Sequence, residues 1–198
     1  MKSNTSTKLK DKLHAKRIAI LDAALSQISM YGFHGTSIKM ISTAANVAAG
    51  SIYNHFANKE EVIQALYIQI GKEINDIVTS NHDPSIRFED DFLNIWTAIL
   101  ELYISDPRKP EFITQYTYSP YIIERTKKQP DTLLAPVLEI FDTARAQGFI
   151  KDLPNTAILA LTHSPITSLV RMAKYERIEL ANVAITKYAQ ACWDAIKI

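Results

Sequence analysis

The sequence predicts an all-α protein of about nine helices in two domains. Apolar residues recur three or four positions apart along most of the 198-residue chain, which is the spacing of one helix face. Prolines and glycines divide this pattern into segments of helical length. No segment of the sequence alternates apolar and polar residues as a half-buried β-strand does. We therefore expect a small N-terminal helical domain followed by a larger helical domain.

The first helix is predicted over residues 12–31. Ile20 and Ile28 belong to an apolar series at helical spacing, and Gly32 is suited to end the helix because glycine readily adopts a left-handed backbone. Residues 1–10 are polar, lack glycine and proline, and include three lysines. We interpret these residues as a basic arm that is disordered without a partner.

Two shorter helices follow, separated by a tight turn. Thr36 and Ser37 are helix N-cap residue types, and they precede an apolar series that includes Ile41. Asn46 can end this helix sharply, since asparagine tolerates a left-handed backbone better than other non-glycine residues. Val47 then provides an apolar contact between the two helices.

The second short helix is predicted over residues 48–56. Its first turn contains only alanine, glycine and serine, so its backbone N–H groups can approach a phosphate closely. Ile52 and Phe56 are four positions apart and face inward, whereas residues 53–55 carry hydrogen-bonding groups on other faces. This is the plan of a helix-turn-helix, whose second helix enters the major groove of DNA.

The stretch resembles the DNA-binding domain of the tetracycline-repressor (TetR/AcrR) family over about residues 17–63. The matching segments are Thr36-Ser37, Ile41-Ser42, Ala45-Asn46-Val47-Ala48, Gly50-Ser51-Ile52-Tyr53, His55-Phe56 and Asn58-Lys59-Glu60. Three positions depart from the family pattern: Ser42 replaces alanine, Asn46 replaces glycine and Ala48 replaces serine. The change at Ala48 removes a hydroxyl that can cap the recognition helix.

The resemblance implies a helix-turn-helix DNA-binding domain over residues 11–57 and a helical ligand-binding and dimerisation domain over residues 58–198. It also implies a dimer that places one recognition helix in each half of a palindromic operator. The predicted DNA-binding residues are Thr36, Ser37, Lys39, Ala49, Gly50, Ser51, Tyr53, Asn54, His55 and Lys59. Phosphate contacts are assigned to the region of Thr36, Tyr53, His55 and Lys59. Base contacts are assigned to Lys39, Ala49, Ser51 and Asn54.

The charge distribution supports this role for the N-terminal part. Residues 1–60 hold eight lysines and arginines against three acidic residues, a net charge of +5. Residues 61–198 hold 14 basic and 18 acidic residues, a net charge of −4. A solvated basic tail explains the lysines of the first ten residues but not Lys39 and Lys59, which lie beside the motif.

Composition and motifs disfavour several other classes. The one cysteine, Cys192, cannot form an internal disulfide, which suits a reducing cytoplasm. The start of the sequence lacks the apolar region of a signal peptide, and no apolar run approaches the length of a membrane span. The sequence has no metal-ligand spacing, glycine-rich phosphate loop or nucleophile motif. We therefore predict no catalytic residue, no metal and no cofactor.

The remainder of the chain is predicted to be helical. The predicted segments are 59–79, 85–105, 110–118, 121–128, 132–147, 155–175 and 179–196. Pro165 lies inside one of them and is expected to kink it. This order of helices resembles the whole-chain architecture of the family.

Aromatic residues are concentrated between positions 88 and 141, and four tyrosines lie between 103 and 121. An apolar wall with a few hydroxyl groups suits a small-molecule cavity between helices, and the resemblance places the inducer in this region. The predicted ligand-binding residues are Trp96, Tyr103, Phe112, Tyr116 and Tyr121. Glu101 and His163 are further candidates for orienting a ligand. The alternative is that the aromatic residues form an ordinary core.

The last two helices, at about 154–175 and 179–197, are predicted to form the homodimer interface. Small residues such as Ala184 and Ala191 allow close helix approach there. The alternative is that these faces complete the monomer core.

The leading functional hypothesis is a ligand-responsive repressor that a small, largely apolar or aromatic molecule releases from a palindromic operator. The alternative is a DNA-binding regulator of the same fold that is controlled by a protein partner. An enzyme is disfavoured, because the five histidines are scattered along the sequence and Cys192 lies on an apolar helix.

Overall fold

The computed structural model describes residues 3–121 and 132–198. Within these ranges it contains nine α-helices and one 3-10 turn, Thr132–Leu134. The helices are α1 (Ser3–Gly35), α2 (Ile38–Ala44), α3 (Ala49–Tyr53), α4 (Lys59–Asn81), α5 (Phe88–Ser105), α6 (Arg108–Thr117), α7 (Ala135–Ala146), α8 (Asn155–Lys174) and α9 (Asn182–Ile196). The all-α prediction is confirmed. Of the predicted segment 121–128, residues 122–128 lie outside the described residues.

The first helix is longer than the sequence indicates. α1 begins at Ser3, so residues 3–10, which the sequence analysis interpreted as part of a disordered arm, lie in its first turns. The segment contains no glycine or proline to stop a helix, and its lysines are good helix formers. Gly32 has φ of 72° and interrupts the helical geometry near the end of α1, as predicted.

The chain divides into two compact units, Met1–Gln69 and Ile70–Ile198. The boundary falls inside α4, whereas the sequence analysis placed it before that helix, between residues 57 and 58. The first half of α4 buries apolar side chains such as Val62 and Leu66, so this half of the helix belongs to the first unit.

The first unit is built around the apolar face of α1. Ile20, Leu21 and Ile28 are fully buried on this helix, together with Ile41 of α2 and Ile52 of α3. Removing these side chains from water stabilises the unit. The packing fixes α2 and α3 against the rest of the unit and leaves their polar faces in solvent.

The second unit is organised around α5, which contacts α6, α8 and α9. The indole N–H of Trp96 on α5 donates a hydrogen bond to the carbonyl oxygen of Thr162 on α8, at 2.9 Å. The end of α4 is joined to α5 through His82, whose Nδ1 lies 2.8 Å from the buried carboxylate of Asp91. In the ranges that the structure describes, no helix combines the length and apolar character needed to span a membrane.

Candidate DNA-binding surface

Two hydroxyl side chains fix the start of α2. The Oγ of Ser37 accepts a hydrogen bond from the backbone N–H of Met40 at 3.2 Å and so caps the helix. Thr36 is 2% exposed, and its Oγ1 donates to the carbonyl oxygen of Gly32 at 2.8 Å. Thr36 therefore links α1 to α2, while Ser37 is exposed to solvent.

The turn between α2 and α3 has the predicted backbone conformation. Asn46 has φ of 52°, in the left-handed region. The N–H of Val47 donates to the carbonyl oxygen of Ser42 at 3.0 Å, and Val47 is half-buried. Ser42 is itself buried, and its hydroxyl donates to the carbonyl oxygen of Lys39 at 2.9 Å. The turn therefore accepts asparagine and serine at positions where the family pattern has glycine and alanine.

The recognition helix α3 is shorter than predicted. Regular helix ends at Tyr53, and Asn54 is its C-cap. The turn continues to Phe56, whose N–H donates to the carbonyl oxygen of Ile52 at 2.9 Å. At the other end, Ala48 is the N-cap and provides no side-chain hydrogen bond, because it lacks the hydroxyl of the family's serine.

Gly50 in the first turn of α3 faces open space. A Cβ atom added at this position would meet no atom within 4 Å, and the glycine does not have a positive φ. Neither packing nor backbone conformation within the chain therefore requires glycine at position 50.

The predicted DNA-binding residues differ in exposure. The exposed members are Ser37, Lys39, Ala49, Gly50, Tyr53 and Asn54. The half-buried members are Ser51, His55 and Lys59, and the buried member is Thr36. Tyr53 is 57% exposed, so most of this aromatic side chain is presented to solvent. Residues of α2, α3 and the turn that follows α3 are thus presented to solvent in the first unit.

Lys59 has a structural role that the sequence analysis missed. Its Nζ donates hydrogen bonds to the carbonyl oxygens of Phe33 and Thr36, at 2.8 and 3.1 Å. These carbonyl groups lie in the segment that follows the interruption at Gly32. Lys59 therefore holds the α1–α2 connection to the start of α4, and its assignment to a phosphate stays a prediction.

The start of α4 is capped by the side chains of Asn58 and Glu61. The side-chain oxygen of Asn58 accepts the N–H of Glu61 at 2.9 Å. In return, the carboxylate of Glu61 accepts the N–H of Ala57 at 2.5 Å. Such a reciprocal pair satisfies two free donors of a helix start.

Sequence reasoning also missed a contact between Arg17 and Phe56. The guanidinium carbon of Arg17 lies at a distance of 5.1 Å from the centre of the Phe56 ring.

The predicted ligand-binding residues lie in the second unit. Trp96, Tyr103, Phe112 and Tyr116 are 0–2% exposed, and Tyr121 is half-buried. Such burial is common to a filled core and to a closed cavity, so ligand contact by these residues stays a prediction. A small crevice lies away from these residues, at the start of α6 and the end of α8. Its lining includes Pro107, Glu111 and Arg171.

One polar pair lies in this aromatic region. The hydroxyl of Tyr103 lies 2.9 Å from Nε2 of His163, and burial lowers the pKa of His163 to about 4. The histidine is therefore neutral at pH 7. Glu101, the other candidate for orienting a ligand, is exposed.

Burial raises the pKa of the Cys192 thiol, which keeps it in the unreactive thiol form. The described ranges contain no group of three or more histidine, cysteine or acidic residues arranged to hold a metal.

Helices α8 and α9 divide into core and surface positions. Ile166, Val170 and Cys192 are buried in the core of the second unit. Other small or apolar residues of the predicted interface segments 154–175 and 179–197 remain accessible to solvent: Ala157, Leu161, Leu169, Ala181, Ala184, Tyr188, Ala191 and Ala195. Leu161 is 39% exposed, and the nearby Met172 and Tyr175 are 40% and 61% exposed.

A capped helix-turn-helix with an open recognition helix, followed by an all-helical unit, defines the class of helix-turn-helix transcriptional regulators. The family model described as "Bacterial regulatory proteins, tetR family" matches residues 20–66. A second family model, described as "Tetracyclin repressor-like, C-terminal domain", matches residues 88–197. The chain belongs to the TetR family of DNA-binding transcriptional regulators, which are not enzymes.

Curated relatives and solved structures agree with this assignment. The chain is 38% identical to the HTH-type transcriptional regulator RutR of Escherichia coli K12 over 100 residues, 50% of this chain and 43% of RutR. It is 32% identical to the uncharacterized HTH-type transcriptional regulator YhgD of Bacillus subtilis over 82 residues, 41% of this chain and 43% of YhgD. The chain thus spans less than half the length of these relatives.

The structural similarity extends further than the sequence matches. A TetR family regulator from Marinobacter aquaeolei VT8 superposes with a TM-score of 0.86 at 20% identity, over 96% of this chain and 98% of that one. FadR of Bacillus subtilis, solved in complex with stearoyl-CoA, gives a TM-score of 0.69 at 16% identity, over 89% of this chain and 95% of FadR. At these identities the similarity shows the fold.

Proposed function

We propose that this regulator is a repressor that binds a palindromic operator as a homodimer in the cytoplasm and is released by a small, largely apolar or aromatic molecule. The observation that carries the DNA-binding part of the proposal is the open first turn of α3. Glycine at position 50 lowers the stability of the helix relative to alanine, and no packing contact inside the chain requires it. A closely approaching DNA backbone supplies that reason.

The surrounding side chains divide into two sets of proposed contacts. Tyr53, His55 and Lys59 hold phosphates, together with the region of Thr36. Lys39, Ala49, Ser51 and Asn54 face bases. The small Ala49 is suited to a thymine methyl group, and the exposed amide of Asn54 is suited to adenine. Lys59 has two carbonyl partners, which leaves one of its three N–H groups for a phosphate.

The homodimer is proposed to form through α8 and α9. The accessible positions Ala157 and Leu161 lie on one face of α8, and Ala184, Tyr188 and Ala191 follow helical spacing on α9. Small and apolar residues in these positions permit two copies of the helices to pack closely. Two recognition helices then read two half-sites, because one short helix contacts few bases.

The proposed effector binds in the second unit near the aromatic residues of α5 and α6. The stearoyl-CoA complex of FadR shows that a protein of this fold can take an apolar chain. Here Trp96, Phe112 and Tyr116 supply apolar walls, and the neutral Tyr103–His163 pair supplies hydrogen-bonding groups. By linkage, such an effector and the operator must weaken each other's binding by the same factor.

Operator selection from random DNA tests the proposal directly. The purified protein is expected to enrich a palindrome, and the enriched duplex then becomes the probe for effector screens. Absence of an enriched sequence at moderate salt, with a folded protein, would contradict sequence-specific repression. Release from the enriched operator by a protein but by no small molecule would favour the alternative, a regulator of the same fold controlled by a protein partner.

Gly50→Ala separates the DNA role of α3 from its folding role. Alanine fits the open space and favours helix, so the free energy of unfolding is expected to stay the same or rise by up to about 1 kcal/mol. Operator affinity is expected to fall at least about tenfold, because the added methyl group meets DNA, a loss of about 1.4 kcal/mol. Asn58→Ala, at the exposed cap of α4 and outside the predicted DNA-binding set, is the contrasting variant, since it lowers helix stability instead. Unchanged operator affinity of Gly50→Ala would contradict close approach of α3.

A further inference from the structure

Arg17 lies where the buried face of α1 ends. It precedes the fully buried Ile20 and Leu21 by three and four positions, so its side chain starts from the same face of the helix. Leu13, one turn earlier on this face, is 46% exposed, so the face is no longer covered there. Arg17 itself is half-buried. A cation thus occupies the boundary between the core of the first unit and solvent.

The guanidinium of Arg17 is held beside the turn that follows the recognition helix. Its carbon lies 5.1 Å from the centre of the Phe56 ring, and the N–H of Phe56 closes that turn by donating to Ile52. The centre of the same ring lies 6.3 Å from the centre of the His55 ring, at an interplanar angle of 45°. The Phe56 ring is therefore the shared neighbour of Arg17 and of His55, which is already a proposed phosphate contact.

The surroundings of Arg17 do not neutralise its charge. In the part of the chain that the structure describes, no carboxylate lies within ion-pair distance of this guanidinium. Residues 12–21 include two lysines in addition to Arg17 and no acidic residue. A cation–π contact leaves N–H donors of the guanidinium available for a further partner. A phosphate suits such a group, because its oxygens can accept two parallel hydrogen bonds from one arginine.

We infer that Arg17 is a DNA phosphate-binding residue and that the Phe56 ring positions it for this contact. The inference rests on the proposed function, and it adds a contact from α1 to those proposed for α2, α3 and Lys59. Every base pair carries the same phosphates, so this contact strengthens binding to any duplex and reads no sequence. Holding the guanidinium against a ring before DNA arrives also reduces the side-chain entropy lost on binding.

Arg17→Ala tests the phosphate contact in the full-length protein. Affinity is measured at several salt concentrations for the selected palindrome and for a scrambled duplex of the same length. The variant is expected to weaken binding to both duplexes about tenfold. It is also expected to reduce the slope of log affinity against log salt concentration by about one for each bound protomer. An unchanged slope in the folded variant, with or without a loss of stability, would assign the Arg17–Phe56 contact to folding alone and overturn the inference.

Lys16→Ala is the matched control for net charge. Lys16 is the adjacent residue and is exposed, and it lies about 100° further around the helix from Arg17. Its removal takes away the same charge without a contact to Phe56, and is expected to change either affinity by less than about twofold because solvent and salt screen an exposed charge. Equal losses in Arg17→Ala and Lys16→Ala would indicate a general effect of charge, which contradicts a positioned contact.

Phe56→Leu tests the positioning role of the ring and keeps an apolar side chain in the core. Leucine cannot make the cation–π contact, so both affinities are expected to fall about threefold while the salt slope stays the same. In the Arg17→Ala background, the same substitution is expected to cost about threefold less, and a double-mutant cycle measures this difference. Equal costs in the two backgrounds would mean that Phe56 acts through α3 alone, and the inference would be wrong.

The outcomes separate the two proposals. If the wild-type protein does not prefer the palindrome to the scrambled duplex, the proposed function fails, and the inference fails with it. If the wild-type protein prefers the palindrome but Arg17→Ala keeps the affinities and the salt slope of the wild type, the inference alone is overturned.

Discussion

Among the described contacts, the first unit has short-range polar contacts at its helix caps, whereas the second unit combines such contacts with several of long range. In the DNA-binding unit, the caps formed by Ser37 and Asn58 and the hydroxyl contact of Ser42 all join residues three positions apart. In the second unit, the Trp96–Thr162 and Tyr103–His163 hydrogen bonds join residues 66 and 60 positions apart. Lys59 adds long-range contacts to the first unit, since its partners lie 23 and 26 positions away. Short-range contacts can be inferred from neighbouring residues, whereas long-range contacts depend on the packing of whole helices.

The largest expected effect tests the long-range contacts. Trp96→Ala removes a large buried side chain and its bond to Thr162, and is expected to lower the free energy of unfolding by about 3–5 kcal/mol. Denaturant unfolding followed by the fluorescence of Trp193, which lies in the same core, measures this change. Tyr118→Ala, at an 84% exposed position, is the control and is expected to change stability by less than about 0.5 kcal/mol. A loss no larger than that of the control would show that the second unit does not depend on this contact.

The pH dependence of His163 tests the same region with a smaller effect. Burial lowers its pKa to about 4 from an ordinary value of 6.5, so the unfolded chain binds this proton more readily than the folded chain does. The contribution of neutral His163 to the free energy of unfolding is therefore fully present above about pH 6.5. This contribution is lost as the pH falls toward 4, by up to roughly 3 kcal/mol. Urea unfolding of wild type and His163→Gln across this range isolates the contribution. Parallel pH profiles for the two proteins would contradict a buried, neutral histidine.

Two lysines sharpen the comparison within the DNA-binding unit. Lys59→Ala removes two hydrogen bonds to carbonyl oxygens and is expected to cost about 1–3 kcal/mol of stability. Lys39→Ala, at an exposed position, is expected to leave stability unchanged. If Lys39 neutralises a phosphate, the variant is also expected to reduce the slope of log DNA affinity against log salt concentration by about one. Thermal unfolding together with DNA titrations at several salt concentrations separates the two effects. Full stability of Lys59→Ala would contradict its structural role.

The smallest effect concerns the turn between α2 and α3. Asn46→Ala places a residue without a local hydrogen-bonding group at φ of 52°, and is expected to cost about 1 kcal/mol. Asn46→Gly restores the family's residue and is expected to cost little or to stabilise the turn. Chemical unfolding of the two variants checks the order, and equal stabilities would mean that the left-handed backbone is not a constraint here.

Sequence analysis succeeded where function and folding depend on neighbouring residues. Helical spacing predicted the all-α fold, and the cap at Ser37 and the left-handed backbone at Asn46 were predicted correctly from local chemistry. For residues 3–10 the structure differs from the expected disordered arm and shows helix, because a polar composition alone does not prevent helix formation.

The sequence by itself determined the helix-turn-helix, its caps and its turn, because each depends on backbone geometry within a few residues. Only the tertiary structure decided that Lys59 binds the carbonyl groups after α1, that Tyr103 meets His163, and that Gly71 accommodates Leu133. These partners are 26, 60 and 62 positions apart in the chain. Helical spacing predicts which face of a helix is apolar, but the partner on the opposing helix is selected by the packing of the entire unit.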